Sequence, residues 1–117
     1  MSGLFGMFGG SKNTAVRDLN PAEVARGLTE GTMVIVDVRE PPEVKAERIA
    51  GSLFVPLSAF DPGKIPDPQG RTVVFLCAAG VRSIRASEAA QAAGLPYDAH
   101  LMGGLKAWKA AGLPVEG

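Results

Sequence analysis

The segment whose residue types are best suited to catalysis contains the only cysteine of the chain. It reads Cys77-Ala78-Ala79-Gly80-Val81-Arg82-Ser83. Small side chains at positions 78 to 80 leave the backbone N–H groups free to turn toward an anion, and glycine adopts dihedral angles that other residues avoid. Arg82 adds a positive charge, and the N-terminus of a following helix adds a partial one. These surroundings lower the pKa of a thiol and favour the thiolate, which is the nucleophile. The alternative is a small, buried and inert cysteine.

The composition excludes several other kinds of site. A chain of 117 residues, 46% hydrophobic and 21% charged, is typical of one globular domain. One cysteine and one histidine exclude an internal disulfide, a thiolate zinc site and a His-rich metal site, so we expect no metal or cofactor. The formal net charge of +0 gives no general attraction to nucleic acid. Cys77 is therefore either a core residue or the centre of the chemistry.

The first thirteen residues read MSGLFGMFGGSKN and lack the basic region of a signal peptide. A transmembrane helix needs a run of about 18 apolar residues, and the sequence contains none. We therefore expect a cytoplasmic protein. We interpret residues 1–13 as a flexible extension and residues 14–117 as the folded domain. The apolar residues of the extension leave a weak contact with a partner or a membrane as the alternative; they are Leu4, Phe5, Met7 and Phe8.

Two apolar runs rich in β-branched residues, 33–36 and 72–76, predict strands that are buried on both faces of a parallel sheet. Segments 53–55 and 99–101 predict shorter strands. Cys77 therefore follows a buried strand at its carboxyl end. Ligands bind at that edge in open α/β sheets.

The sequence between these strands predicts helices. Asn20-Pro21-Ala22-Glu23 has the cap, the proline and the acidic residue of a helix start, and Gly31 ends that helix. A short helix is expected after Pro41, an alanine-rich one from the cysteine segment to about Ala93, and a last one over 105–111. The sequence Ala-Ala-Gly-Leu-Pro occurs at 92–96 and at 110–114, and we interpret it as one kind of helix stop used twice. This alternation predicts one α/β domain with a largely parallel sheet.

The cysteine segment resembles the active-site loop of the rhodanese (sulfurtransferase) family. Three further segments resemble signatures of that family in the same order: 36–41, 49–52 followed by Pro56, and 103–108 continued by 111–115. The resemblance extends over about residues 14 to 116. It implies an open five-stranded parallel sheet flanked by helices on both faces.

The resemblance also implies an activity. In the family, a cysteine at the position of Cys77 takes a sulfane sulfur from a donor such as thiosulfate or a persulfide. The sulfur then passes to a thiol, to cyanide or to a protein acceptor. The backbone N–H groups of residues 78–83 would bind the persulfide and the incoming anion. Related phosphatases have Cys-x5-Arg, whereas Cys77 and Arg82 form Cys-x4-Arg, and this tighter loop favours sulfur. The alternative is a non-catalytic rhodanese-like module that binds a partner, although such modules usually lack the cysteine.

Several residues outside the loop are candidates for support. Asp37 ends a strong strand, and we expect it to accept hydrogen bonds from loop amides or to pair with Arg82, as structural support rather than direct chemistry. Arg39 is expected to pair with surface carboxylates. His100 is interpreted as a packing residue near the last strand, and Trp108 as an anchor between helix and sheet.

Three features depart from the family pattern or restrict the reaction. Glu47-Arg48-Ile49 stands where the family commonly has Gly-His-Ile, and we expect that position to be structural. The loop has no lysine or second arginine, so we expect weak affinity for the thiosulfate dianion and better donors among persulfides or partner proteins. With no second cysteine, the sulfur has to leave to an external acceptor. The pair Gly103-Gly104 is expected to allow a close approach of two backbone segments.

Overall fold

The alternation of strands and helices builds one parallel sheet in the computed structural model, which describes residues 15–117. The strands are β1 (Arg17–Leu19), β2 (Met33–Asp37), β3 (Leu53–Phe54), β4 (Thr72–Leu76) and β5 (Ala99–Leu101). The helices are α1 (Pro21–Glu30), α2 (Pro41–Ala46), α3 (Arg82–Ala92) and α4 (Gly104–Ala110). The strand order is β1-β5-β4-β2-β3, and every neighbouring pair is parallel. All strands therefore end at the same edge.

The two faces of the sheet bury two separate apolar clusters. Alternate residues of a strand point to opposite faces, so Val74 of β4 packs with Val24 of α1 and Trp108 of α4. Phe75 packs on the other face with Ala86 of α3. The expected sheet of five parallel strands with helices on both faces is confirmed.

Local sequence signals set the helix ends as predicted. The Asn20 side chain accepts a hydrogen bond from Glu23 N at 2.8 Å, and the Glu23 carboxylate accepts one from Asn20 N at 2.9 Å. The two repeated stops also agree, because Leu95 N donates to Ala90 O at 3.0 Å and Leu113 N donates to Trp108 O at 3.2 Å. These bonds satisfy carbonyl groups that a helix end leaves without partners.

The edge strand β1 has no counterpart among the strands that the sequence pattern predicts. It has three residues, and Arg17 and Asp18 are exposed, so it shows no apolar run. Its pairing with β5 places Asp18 opposite His100. The missed strand therefore brings a carboxylate to the strand that follows α3.

The expectations about membrane contact and about the N-terminus differ in what the described residues can show. Among residues 15–117, no helix is both long and apolar enough to cross a membrane. The expectation of a flexible extension at residues 1–13 lies outside the described residues. The remaining differences are small: the last helix begins at Gly104 rather than Leu105, and Val55 lies outside β3.

Candidate active site at the carboxyl edge of the sheet

Cys77 lies directly after β4, where the chain turns into a tight loop before α3. Its side chain is 1% exposed. The sulfur Sγ accepts hydrogen bonds from Gly80 N at 3.1 Å and Ser83 N at 3.3 Å, and it lies 3.4 Å from Ser83 Oγ. The loop therefore directs backbone N–H donors of two residues at the sulfur.

Opposing effects act on the pKa of the Cys77 thiol. Burial raises the pKa, while hydrogen bonds from the Ser83 hydroxyl and from the N–H groups of Ser83, Gly80 and Ala79 lower it. The hydrogen bonds outweigh burial, so the pKa of Cys77 lies below the ordinary value of 9.0 for a thiol. Donors that point at the sulfur stabilise its anion. The loop therefore stabilises the thiolate of Cys77 relative to that of an ordinary cysteine.

The first turn of α4 fixes the orientation of the loop. Leu105 N donates to Cys77 O at 2.9 Å, and Lys106 N donates to Ala78 O at 3.0 Å. The C=O and N–H of a trans peptide point in opposite directions. Because both carbonyl groups face α4, the N–H groups of Ala78 and Ala79 face away from it.

Gly104 allows the backbone of α4 to approach the backbone of the cysteine loop closely. Its φ is +62°, and a Cβ at this position would lie 2.5 Å from Cys77 O and 2.6 Å from Ala78 O. Gly80 has a φ of +96°, and a Cβ there would lie 2.9 Å from Gly103 N. The predicted close approach at Gly103-Gly104 is confirmed, and it explains the glycines by packing.

Arg82 does not face the loop as an unpaired cation. Its guanidinium donates two hydrogen bonds to the Glu43 carboxylate of α2, at 2.8 and 2.9 Å. The Arg82 hydrogen bonds lower the pKa of Glu43 from 4.5 to about 2, and the Glu43 carboxylate in turn raises the pKa of Arg82. The positive charge that the sequence assigns to the loop is therefore balanced by a carboxylate.

The predictions for the partners of Asp37 and Arg39 are wrong. Asp37 pairs with Arg39, not with Arg82 or the loop amides, and Arg39 does not pair with surface carboxylates. The shortest contact joins Arg39 Nη2 to Asp37 Oδ2 at 2.8 Å, and the two side chains are 3% and 1% exposed. Arg39 also donates to the carbonyl oxygens of Glu43 and Glu47, at 3.3 and 2.8 Å. Burial makes this a structural pair that holds α2 on β2.

His100 is buried, as predicted, but it is more than a packing residue. Its Nδ1 lies 2.8 Å from Ser83 Oγ, and its Nε2 lies 2.7 Å from Asp18 Oδ1. The sequence pattern gives no sign of these contacts, because Asp18 and His100 are 82 positions apart. The structure therefore places a polar ring behind the cysteine loop.

Two other residues have structural roles. Trp108 is buried as predicted, and its Nε1 donates to Pro114 O at 2.9 Å. Arg48 exchanges backbone hydrogen bonds with Glu116, both at 2.8 Å. The residue that departs from the family pattern therefore holds the C-terminal segment against the chain.

A groove of about 500 Å³ lies beside the loop. Ala78 and Ala79 contribute to its wall, together with Glu43 of α2 and Lys106 of α4. A second cavity, of about 410 Å³, is lined by Trp108 and by no residue of the cysteine loop. Of these two cavities, only the groove reaches residues of the cysteine loop.

Comparison with known sequences shows the family. The family model of the rhodanese-like domain matches residues 20–111, and the chain belongs to this family. An uncharacterized protein of Synechocystis is 41% identical over 85 residues, which cover 73% of this chain and 48% of that protein. A probable adenylyltransferase/sulfurtransferase MoeZ of Mycobacterium tuberculosis is 37% identical over 93 residues, which cover 77% of this chain and 24% of that protein. A sulfurtransferase of Allochromatium vinosum is 31% identical over 83 residues, which cover 71% of this chain and 78% of that protein. The chain therefore spans about half the length of the first relative and a quarter of the second.

Solved structures share the fold. A rhodanese-related protein of Thermoplasma volcanium superposes with a TM-score of 0.73 at 30% identity, covering 86% of this chain and 97% of that one. A Rhodopseudomonas palustris protein of unknown function, described as a possible tyrosine phosphatase, has a TM-score of 0.74 at 34% identity. The superposition covers 89% of this chain and 87% of that one. Two of the relatives are themselves named sulfurtransferases, at 37% and 31% identity to this chain.

Proposed function

We propose that this protein is a sulfurtransferase that carries a sulfane sulfur as a persulfide on Cys77. The Cys77 thiolate attacks the outer sulfur of the donor and forms an S–S bond, while the donor's own bond to that sulfur breaks. The electron pair leaves with the departing group, which is sulfite from thiosulfate or a thiolate from a persulfide. An acceptor thiolate or cyanide then attacks the outer sulfur, and Cys77 leaves as a thiolate.

One observation carries this proposal: the Cys77 sulfur is buried and accepts hydrogen bonds from Gly80 N and Ser83 N. These donors stabilise the Cys77 thiolate, which exists before the first transfer and is released again by the second. We assign the rest of the loop, Ala78, Ala79, Val81 and Arg82, to the binding of the outer sulfur and the donor.

The charge beside the loop supports a preference among donors. Thiosulfate is a dianion, and the guanidinium of Arg82 is already paired with the Glu43 carboxylate. The attraction that a free guanidinium gives a dianion is therefore reduced. We propose that thiosulfate is a weak donor and that a thiol persulfide, with less charge, is a better one.

A protein acceptor is supported by the apolar residues at the same edge of the sheet. Among the described residues, the large hydrophobic side chains that are exposed are Phe54, Val81 and Met102. Phe54 ends β3, Val81 lies in the cysteine loop, and Met102 follows β5.

Because Cys77 is the only cysteine, oxidised protein needs external thiols for rescue. We therefore propose the cytoplasm, which is rich in such thiols.

Steady-state assays test the activity and its alternatives together. Thiosulfate and a low-molecular-weight persulfide serve as donors, cyanide and a dithiol as acceptors, and an aryl phosphate as a phosphatase substrate. We expect sulfur transfer with a lower KM for the persulfide, loss of transfer in Cys77→Ser, and no phosphatase activity. Phosphatase activity without sulfur transfer would overturn the proposal. Inactivity with every substrate would favour the partner-binding module.

A further inference from the structure

Hydrogen bonds join four side chains into a continuous chain from the candidate nucleophile to the surface. Cys77 Sγ lies 3.4 Å from Ser83 Oγ, Ser83 Oγ lies 2.8 Å from His100 Nδ1, and His100 Nε2 lies 2.7 Å from Asp18 Oδ1. Cys77, Ser83 and His100 are at most 1% exposed, whereas the Asp18 side chain is 57% exposed. The buried sulfur is therefore connected to solvent at β1, through residues of three further elements.

The direction of these bonds depends on the protonation of Cys77. With a thiol, the S–H can donate to Ser83 Oγ, the Ser83 O–H to Nδ1 of a neutral His100, and Nε2–H to Asp18. With a thiolate, the Ser83 O–H has to turn to the sulfur, so Ser83 Oγ accepts from Nδ1–H. The bond from Nε2–H to Asp18 persists, and His100 then carries both ring protons.

We propose that His100, oriented by Asp18, holds the proton that Cys77 releases, with Ser83 as the bridge between them. The S–H proton passes to Ser83 Oγ while the hydroxyl proton of Ser83 passes to Nδ1. The products are a thiolate and an imidazolium, and no oxidation or reduction takes place. This inference deepens the proposed function and rests on it, because that function requires the thiolate. His100 does not touch the sulfur and is a positioning residue.

The charged groups around these four hydrogen-bonded side chains leave His100 a distinct role. The charged groups near Cys77 include Arg82, whose guanidinium is paired with Glu43 of α2. On the side of β1 and β5, Asp18 faces the His100 ring, while Arg17 and Asp98 pair with each other at 3.1 Å. The β4 residue opposite His100 is the apolar Phe75. An imidazolium at His100 would therefore have the Asp18 carboxylate on one side and the Ser83 hydroxyl, next to the Cys77 thiolate, on the other. Both neighbours stabilise it.

The first test measures thiolate formation directly. The rate of Cys77 alkylation by iodoacetamide is followed against pH for the wild type, His100→Asn and Asp18→Asn. Asparagine at position 100 keeps an amide near Ser83 but cannot take up a proton. We expect its midpoint to rise by about one pH unit, with an alkylation rate near neutrality lower by up to tenfold, and a smaller rise for Asp18→Asn. Asp98→Asn removes a carboxylate that pairs with Arg17 of β1 and does not contact His100, and it should leave the midpoint unchanged.

The second test uses the fact that His100 is the only histidine in the sequence. Its ring nitrogen NMR signals in untagged protein report the imidazolium without ambiguity. Under conditions where Cys77 is a thiolate, we expect signals of a doubly protonated ring in the wild type and of a neutral ring in Cys77→Ser. This measurement does not depend on whether His100→Asn folds.

The outcomes separate this inference from the proposed function. Alkylation midpoints of folded His100→Asn and wild type within about 0.2 pH unit would overturn the proton-holding role. Identical ring signals in wild type and Cys77→Ser under those conditions would overturn it as well. A shifted midpoint in a protein that transfers no sulfur would leave the role in place and refute the sulfurtransferase activity instead.

Discussion

Arg82 and Glu43 form a two-bond ion pair beside the cysteine loop, with N–O distances of 2.8 and 2.9 Å. The two residues come from α3 and α2, and their side chains are 32% and 35% exposed. The pair removes the free positive charge that the sequence of the loop predicts. It therefore bears on which sulfur donors the site accepts.

Neutralising Glu43 should improve the use of thiosulfate. Glu43→Gln keeps a side-chain oxygen for the N–H of Glu40 but leaves the Arg82 charge uncompensated, so attraction for the dianion rises. We expect the KM for thiosulfate to fall about three- to tenfold, with a smaller change for a persulfide donor. Steady-state kinetics measures both values. The matched control is Glu88→Gln on an exposed part of α3, and an equal effect in that variant would contradict the local explanation.

The same pair predicts a pH dependence of stability. Arg82 lowers the pKa of Glu43 from 4.5 to about 2. A carboxyl group whose pKa is lower in the folded state stabilises it fully above the unfolded pKa, and this contribution is lost as pH falls through the folded pKa. Urea denaturation should show a constant difference between wild type and Glu43→Gln from neutral pH to about pH 5, shrinking toward pH 2. A difference that stays constant down to pH 2 would contradict the assignment.

Gly104→Ala should disrupt the contact between α4 and the cysteine loop. The new Cβ would lie 2.5 Å from Cys77 O, and the residue has a φ of +62°. We expect a loss of about 2 to 4 kcal/mol in the free energy of unfolding and a large loss of sulfur transfer. Gly112→Ala is the control, because its φ is +77° and nothing lies within 4 Å of its Cβ. It should lose only about 1 kcal/mol, and equal losses in the two variants would contradict the packing argument.

The buried pair of Asp37 and Arg39 should contribute mainly to stability. Asp37→Asn leaves a buried guanidinium without its counter-charge, which we expect to cost about 3 to 5 kcal/mol of unfolding free energy. Asp98→Asn breaks the exposed contact with Arg17, where both side chains are well exposed, and should cost at most about 1 kcal/mol. Denaturation in urea measures both losses. A loss for Asp37→Asn as small as that for Asp98→Asn would contradict the structural role.

Local signals in the sequence were sufficient for the core of the fold. The apolar runs of β2 and β4 and the capping residues Asn20 and Glu23 act over a few positions, so their outcome can be predicted from sequence. The exposed strand β1 has no apolar run and forms only because β5 offers it a free edge. Its place depends on the assembled sheet, which no local pattern describes.

The candidate site divides in the same way. The loop donors around Cys77 follow from the small residues that come directly after it, whereas Arg82 and Glu43 are 39 positions apart and meet only in the folded chain. The pair of Asp37 and Arg39 had a signal, since alternate residues of an extended segment point to the same side. That spacing could have identified the two residues as partners.

Intact-mass spectrometry of the protein after incubation with a sulfur donor tests the central claim most directly. Thiosulfate and a low-molecular-weight persulfide are used separately, and Cys77→Ser is treated in parallel. We predict a gain of one sulfur atom, about 32 Da, in the wild type, its removal by cyanide or a thiol, and no gain in Cys77→Ser. An unchanged mass with every donor, or the same gain in Cys77→Ser, would contradict a persulfide on Cys77.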